Sequence, residues 1–174
     1  MPYKLLFIWV EGDDDKRFFD KILLLKFQEK YDTVKVIKYA EMKRGKVDNF
    51  IKSIKAMGAD YIYLTDINDS PCITAKKKEI QSKYKNIDND KMIVVVKEIE
   101  GWYLAGLDNK VCKQFKIDSF ANTDNVTKEK FNALIPKKFT SRVDFISEIL
   151  KNFSIEIAKQ KNNSFQYFAK KYDC

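Results

Sequence analysis

The chain has 174 residues, of which 45% are hydrophobic and 14% aromatic, and this composition excludes a disordered polypeptide. The formal net charge of +8 suits a polyanionic partner such as DNA or RNA, although a lysine-rich surface that only aids solubility explains it equally well. There is no histidine, and the cysteines, Cys72, Cys112 and Cys174, are widely spaced. Histidine-dependent catalysis is therefore excluded, and a structural zinc site is not expected.

The sequence offers no membrane or export signal. No apolar run approaches the roughly 20 residues that span a bilayer. The N-terminus runs directly into a strand-like segment and lacks the small-residue cleavage site of a signal peptide. We therefore expect a cytoplasmic protein with no membrane partner.

Apolar segments alternate with helical patterns in the first part of the chain. The predicted strands are Lys4–Val10, Thr33–Tyr39, Tyr61–Leu64 and Met92–Val96. Helices are predicted to begin near Asp13, to cover Val47–Met57, and to run from about Thr74 to Tyr84. This alternation predicts an α/β fold with a mostly parallel, doubly wound sheet of four strands flanked by helices.

The character of the chain changes at about Asn109, after which no comparable strand occurs. Helices are predicted near Lys128–Leu134, Arg142–Phe153 and Ser164–Tyr172. We therefore expect an α/β domain over residues 1–107 and a helical C-terminal extension, residues 108–174, packed on it.

Acidic residues follow three of the predicted strands. Because the carboxyl ends of parallel strands share one edge of a sheet, we expect these side chains to gather there. Clustered carboxylates repel one another unless a cation lies among them, and oxygen ligands favour Mg²⁺, with Mn²⁺ as the alternative. The polar residues at these strand ends are Glu11, Asp13, Asp14, Asp15, Asp66, Asn68, Asp69, Lys97, Glu98 and Glu100.

Helix capping and surface ion pairs are the competing explanation for some of these acids. We prefer that explanation for Asp13 and Asp14, which fall in the first turn of a predicted helix. Glu11 and Asp66 stand directly at strand ends, and for them we favour metal binding. Of Glu98 and Glu100, which point to opposite sides of an extended chain, we expect Glu100 to face the metal.

The segment Phe7–Asp15, followed by Leu64–Asp69, resembles the Toprim domain of topoisomerases, bacterial-type primases, RNA-maturation nucleases and OLD-family nucleases. That domain carries a glutamate after its first strand, often within V-E-G, and a D-x-D after a later strand. The resemblance covers roughly residues 4–107. Val96–Ala105 and Asn163–Phe168 are also similar to segments of OLD-type Toprim proteins and their stand-alone prokaryotic relatives.

The resemblance implies a Toprim-like, Rossmann-like sheet and assigns roles to several residues. Glu11 would be a metal ligand or general acid/base, Asp15 the second acid of an E-x-x-x-D/E pattern, and Asp66 the first acid of D-x-D. The second acid of D-x-D is replaced by Asn68, which brings no charge, and Asp69 is the candidate to compensate for it.

Among the Toprim activities, a nuclease that attacks with water needs the fewest protein groups. A topoisomerase also needs a nucleophilic tyrosine, normally on a different domain, and we expect no second domain here to carry one. The expected activity is therefore Mg²⁺-dependent cleavage of DNA or RNA, in phage defence or nucleic-acid processing. Glu11, Asp66 and Asn68 would hold one ion, and Asp15, Glu98 and Glu100 a second. Lys97 would offset charge on the phosphate or be an ordinary surface lysine.

Two other classes of function stay open. A non-catalytic Toprim-fold module acting as a partner subunit is favoured by Asn68. A phosphoenzyme of the haloacid-dehalogenase or receiver type would use Asp66, with Asp13, Asp14 and Lys97 in the receiver roles, but Glu11 and Gly12 separate that acidic pair from its strand. The chain lacks the G-x-x-x-x-G-K-[ST] loop, so any ATPase partner would be a separate protein.

Aromatic residues in the C-terminal half are assigned to packing. Trp102 and Tyr103 could stack on a base, but we expect Trp102 to anchor a short helix in the core. The spacing of Phe165, Phe168 and Tyr172 likewise indicates a helix packing face.

Overall fold

The computed structural model of the chain describes residues 3–174. The chain folds into two compact units, Met1–Val94 and Val95–Cys174. No helix within residues 3–174 is long and apolar enough to cross a membrane.

A four-stranded parallel sheet forms the centre of the first unit, as the sequence predicts. Its strands are β1 (Leu5–Val10), β2 (Thr33–Lys38), β3 (Asp60–Asp66) and β4 (Met92–Val95). They lie in the order β2-β1-β3-β4, so the first strand is central and pairs in parallel with both β2 and β3. The continuous apolar sequence of β1 follows from this position, because a central strand is buried on both faces.

Helices connect these strands close to the predicted positions. Helix α1 (Asp13–Phe18) continues through a π-helical turn (Phe19–Leu23) into α2 (Leu24–Gln28), and α3 (Arg44–Ala56), α4 (Ile73–Lys83) and a 3₁₀ turn (Asn89–Lys91) follow. Helix α3 ends before Gly58, whose φ of +67° is a conformation that glycine adopts without strain.

One face of the sheet packs against α3. Trp9 and Tyr63 are register partners on β1 and β3, and both are fully buried in the same cluster as Val47, Ile51 and Ile54. Phe50 of α3 meets the Trp9 ring edge-on, with ring centroids 5.1 Å apart. This packing holds β1 and β3 in one register, so the residues that follow the two strands have fixed places.

The second unit is helical. Its helices are α5 (Glu100–Ala105), α6 (Asn109–Phe115), α7 (Lys128–Leu134), α8 (Arg142–Lys151), α9 (Ile155–Lys161) and α10 (Asn163–Tyr172). The sequence predicts α7, α8 and α10. It does not predict α6 and α9.

Trp102 lies at the centre of the second unit. Its ring is fully buried against Phe165 and Phe168, at centroid distances of 5.1 and 5.3 Å. The indole N–H donates to Ser164 Oγ at 2.8 Å. The expected core position of Trp102 and the packing face on α10 are confirmed. Helix α5, which the sequence analysis groups with residues 1–107, therefore belongs to the second unit because its large side chains pack there.

Candidate functional site

The strand order creates a topological switch point at the carboxyl edge of the sheet. From β1 the chain moves to β2 on one side and later to β3 on the other. In such sheets, ligands bind beyond the strand ends where the order reverses. Glu11 follows β1 and Asp66 ends β3, so both lie at this edge on neighbouring strands. Continuing the register of Trp9 with Tyr63 places Glu11 opposite Thr65, one residue before Asp66.

The backbone around Glu11 extends the pairing of β1 with β2. The carbonyl oxygen of Val10 accepts from Tyr39 N at 2.9 Å, and that of Glu11 accepts from Ala40 N at 3.3 Å. The half-buried side chain of Glu11 lines an open cavity of about 310 Å³. The other residues lining the cavity are Gly12, Asp13, Lys38, Ala40, Glu41 and Met42.

Tyr39, the residue after β2, ties the end of β2 to that of β3. Its hydroxyl donates to the carbonyl oxygen of Leu64 at 2.8 Å, and its ring stacks on Tyr63 with centroids 4.7 Å apart. Burial raises the pKa of the Tyr39 phenol, and the nearby charges of Glu11 and Asp15 raise it further. Tyr39 is therefore a neutral hydrogen-bond donor beside two acids. The sequence alone does not single out Tyr39, since a tyrosine at the end of a predicted strand carries no chemical signal.

Asp15 is buried in the first turn of α1, with 7% of its surface exposed. Its Oδ2 accepts a hydrogen bond from the backbone N–H of Gly12 at 3.1 Å. That contact caps the start of α1, whose N-cap residue is Gly12, so Asp15 fixes the chain on the C-terminal side of Glu11.

Asp13 and Asp14 form ion pairs, as the sequence analysis prefers. Asp13 Oδ1 lies 2.6 Å from Lys38 Nζ, and Asp14 Oδ1 lies 2.6 Å from Arg17 Nη1. The hydrogen bond and charge of Lys38 lower the pKa of the Asp13 carboxyl. Both acids are thus neutralised by cations of the same unit.

A tight turn follows Asp66, closed by a hydrogen bond of 3.1 Å from Ser70 N to the carbonyl oxygen of Ile67. Asn68 stands in this turn with a φ of +50°, and both Asn68 and Asp69 are exposed. Asparagine adopts the left-handed conformation more readily than most residues. Asn68, which stands where the Toprim resemblance expects an acid, therefore occupies a backbone position that suits asparagine.

The residues after β4 belong to the second unit, and Glu98 and Glu100 have partners there. Lys97 is exposed with a φ of +62°, and the Glu98 carboxylate accepts from the backbone N–H of Lys128, where α7 begins. Glu100 is 4% exposed and lies 2.6 Å from Arg142 Nη2. Burial raises the pKa of Glu100, although the charge of Arg142 opposes the shift. Their assignment as ligands of a second ion stays a prediction.

The oxygen donors at the carboxyl edge fit a Mg²⁺ ion held by two carboxylates together with water and phosphate. They do not fit an ion held by three protein carboxylates. Among residues 3–174, no three Asp, Glu, Cys or His side chains are grouped so that they could hold a metal. Mg²⁺ in proteins is often held by one or two carboxylates, with water and substrate phosphate completing its shell. Glu11 and Asp66 supply two such carboxylates on neighbouring strands, and the Asn68 carbonyl is a further oxygen donor.

Comparison of the chain with protein-family models, with curated proteins and with solved structures gives no match.

Proposed function

We propose that the first unit is a Toprim-type, Mg²⁺-dependent phosphodiesterase that cleaves DNA or RNA. One observation carries the proposal: the strand order β2-β1-β3-β4 puts Glu11 and Asp66 on adjacent strands, at the edge where such sheets bind ligands. The V-E-G and D-x-N-D sequences at these two positions support the Toprim assignment. The net charge of +8 supports a nucleic-acid partner.

The chain's own residues have distinct roles in this proposal. Glu11 and Asp66 would hold the metal, with the Asn68 carbonyl as an added ligand. When bound, Mg²⁺ neutralises phosphate charge and lowers the pKa of a coordinated water. Asp15 positions the chain after Glu11 by capping α1, and Tyr39 ties the end of β2 to that of β3 through Leu64. An ATPase partner would act as a separate protein.

A non-catalytic module with the same fold is the second candidate. Asn68 in place of an acid favours it, and so does the lack of a three-carboxylate group among residues 3–174. Such a module would bind metal weakly and nucleic acid through its basic surface, without cleaving it.

Cleavage assays with a matched control test the proposal. Labelled single- and double-stranded DNA and RNA are incubated with Mg²⁺ or Mn²⁺ and the wild type, Glu11→Gln, Asp66→Asn or Asp13→Asn. Asp13 is the control because it lines the same cavity but is paired with Lys38. We expect cleavage by the wild type and Asp13→Asn, and its loss in the other two variants. Wild type that folds and binds nucleic acid but never cleaves it would favour the non-catalytic module.

Metal binding is measured separately by isothermal titration of the same four proteins with Mg²⁺. We expect weak binding by the free wild type, because only two carboxylates are available, and tighter binding in the presence of an oligonucleotide. Equal affinity in Glu11→Gln and the wild type would place the ion elsewhere.

A further inference from the structure

A lysine with a buried side chain lies beside the loop that follows Asp66. Lys76 is the fourth residue of α4, and its side chain is 5% exposed. Burying a charged amine is costly unless strong partners compensate it. Lys78 on the same helix is exposed, so a high lysine content does not explain the burial of Lys76.

Glu79 is the partner of Lys76, but the contact is long and Glu79 also binds Lys83 and Ser70. Lys76 Nζ lies 3.4 Å from Glu79 Oε2, beyond the 2.7–2.9 Å usual for a charge-assisted hydrogen bond. Glu79 is held more closely by Lys83, at 2.5 Å, and by Ser70 Oγ, at 2.9 Å. An ammonium group has three donors. No second protein acceptor for Lys76 is found among residues 3–174, so further donors are available to an oxyanion.

Glu79 Oε2 links the Lys76 ammonium to the loop before α4. Ser70 precedes α4 and belongs to the turn that follows Asp66, and both Ser70 Oγ and Lys76 Nζ contact the same atom, Glu79 Oε2. Lys76 is itself in the first turn of α4, and through that oxygen its ammonium is linked to the residues at the N-terminal end of the helix. In a parallel α/β unit, that end follows the carboxyl end of β3 directly. Lys76 is thus connected, through Glu79 and Ser70, to the turn that follows Asp66 and contains Asn68.

We propose that Lys76 binds a phosphate of the nucleic-acid substrate at the β3–α4 loop, exchanging its long contact with Glu79 for the phosphate oxygen. The inference rests on the proposed nucleic-acid function and adds a residue to it that the sequence analysis does not single out. Glu79 keeps its contacts with Lys83 and Ser70 when Lys76 turns to the phosphate, so the exchange leaves this partly exposed carboxylate with two partners.

The test measures binding, independently of cleavage. Fluorescence anisotropy of a labelled single-stranded oligonucleotide, as DNA and as RNA, is recorded at several salt concentrations. Ca²⁺ replaces Mg²⁺ in these measurements. The proteins are the wild type, Lys76→Met, Lys76→Arg and Lys78→Met. Lys78 is the matched control because it is an exposed lysine on the same helix. Unfolding midpoints are measured for all four.

We expect Lys76→Met to weaken binding about fivefold or more, and to lower the slope of log affinity against log salt by about one. Lys76→Arg should keep the slope, and Lys78→Met should change affinity less. Because methionine matches the buried stem of lysine, Lys76→Met should unfold at the wild-type midpoint or above it.

Three results would overturn the role of Lys76: wild-type affinity and slope in Lys76→Met, equal losses in Lys78→Met, or no oligonucleotide binding by the wild type. Cleavage in Mg²⁺ is recorded for the same samples. Lys76-dependent binding without any cleavage would support the phosphate site and overturn the nuclease. Cleavage together with binding that does not depend on Lys76 would support the nuclease and overturn the phosphate site.

Discussion

The Glu100 carboxylate, 4% exposed, lies 2.6 Å from the Arg142 guanidinium, which also stacks over the Phe131 ring. The pair joins the start of α5 to the start of α8 within the second unit. An acid that the sequence places at a strand end is thus held by a cation 42 residues away. We expect this ion pair to be a structural feature of the second unit.

Replacing Arg142 with leucine should destabilise the protein by about 3–5 kcal/mol, because it leaves a buried carboxylate without its cation. Urea unfolding monitored by tryptophan fluorescence measures the change. Lys151→Leu is the control, since its ion pair with Glu148 is exposed and surface pairs contribute about 0–1 kcal/mol. Equal effects of the two substitutions would show that Glu100 does not depend on Arg142.

Glu100→Gln should change how stability depends on pH. Burial raises the pKa of Glu100 above its ordinary value of 4.5, so the native state binds its proton more tightly than the unfolded state. The stability due to Glu100 is therefore fully present below pH 4.5 and is lost as pH rises through the native-state pKa. We expect the stability of the wild type relative to Glu100→Gln to fall as pH rises over that window. A constant difference would mean that the pKa of Glu100 is the same in both states.

Gly106→Ala and Gly45→Ala should have opposite effects. A Cβ on Gly106 would overlap the Phe153 ring, whereas nothing lies within 4 Å of a Cβ on Gly45 in α3. We expect the first substitution to cost about 1–3 kcal/mol through overpacking. The second should stabilise by about 0.5–1 kcal/mol through helix propensity. Thermal unfolding of both variants checks the signs, and destabilisation by Gly45→Ala would contradict the open environment of that residue.

Ser164→Ala should destabilise the second unit, because Ser164 belongs to a buried hydrogen-bond network in its core. Ser164 Oγ accepts from the Trp102 indole and donates to Asn162 Oδ1 at 2.9 Å, and all three side chains are buried. Removing the hydroxyl takes the Ser164 acceptor away from the buried indole N–H, at a cost of about 1–3 kcal/mol. Chemical denaturation measures it, with the exposed Ser82→Ala as control. An unchanged midpoint for Ser164→Ala would contradict the prediction.

Tyr39→Phe should destabilise the first unit by about 1 kcal/mol, because the carbonyl oxygen of Leu64 loses its donor. Tyr167→Phe, at an exposed tyrosine, should have little effect. Alkaline titration followed by tyrosine absorbance gives a second measurement. Since burial and the charges of Glu11 and Asp15 raise the pKa of Tyr39, its phenol should ionise only when the protein unfolds. Ionisation of every tyrosine near the ordinary value, before unfolding, would contradict this.

Local sequence determined the helices and strands of this protein and which acidic residues lie at the carboxyl edge of its sheet. The unbroken apolar residues of β1 and β4 and the helical spacing of α3, α7 and α8 fix the secondary structure. Side chains that repeat every two or 3.6 residues must bury the same face. Glu11 and Asp66 could be assigned to one edge because parallel strands end there. The adjacency of β1 and β3 is decided by packing on α3 and required the tertiary structure.

Only the tertiary structure decided which charged and polar groups meet. Glu100 faces Arg142, Tyr39 lies beside Glu11 and Asp15, and Lys76 is buried at the turn after Asp66. These contacts join residues on different elements, and no local pattern encodes them. An ionisable side chain acquires its pKa, partners and accessibility from neighbours that folding brings to it, so the sequence named the chemical groups and the fold set their environments.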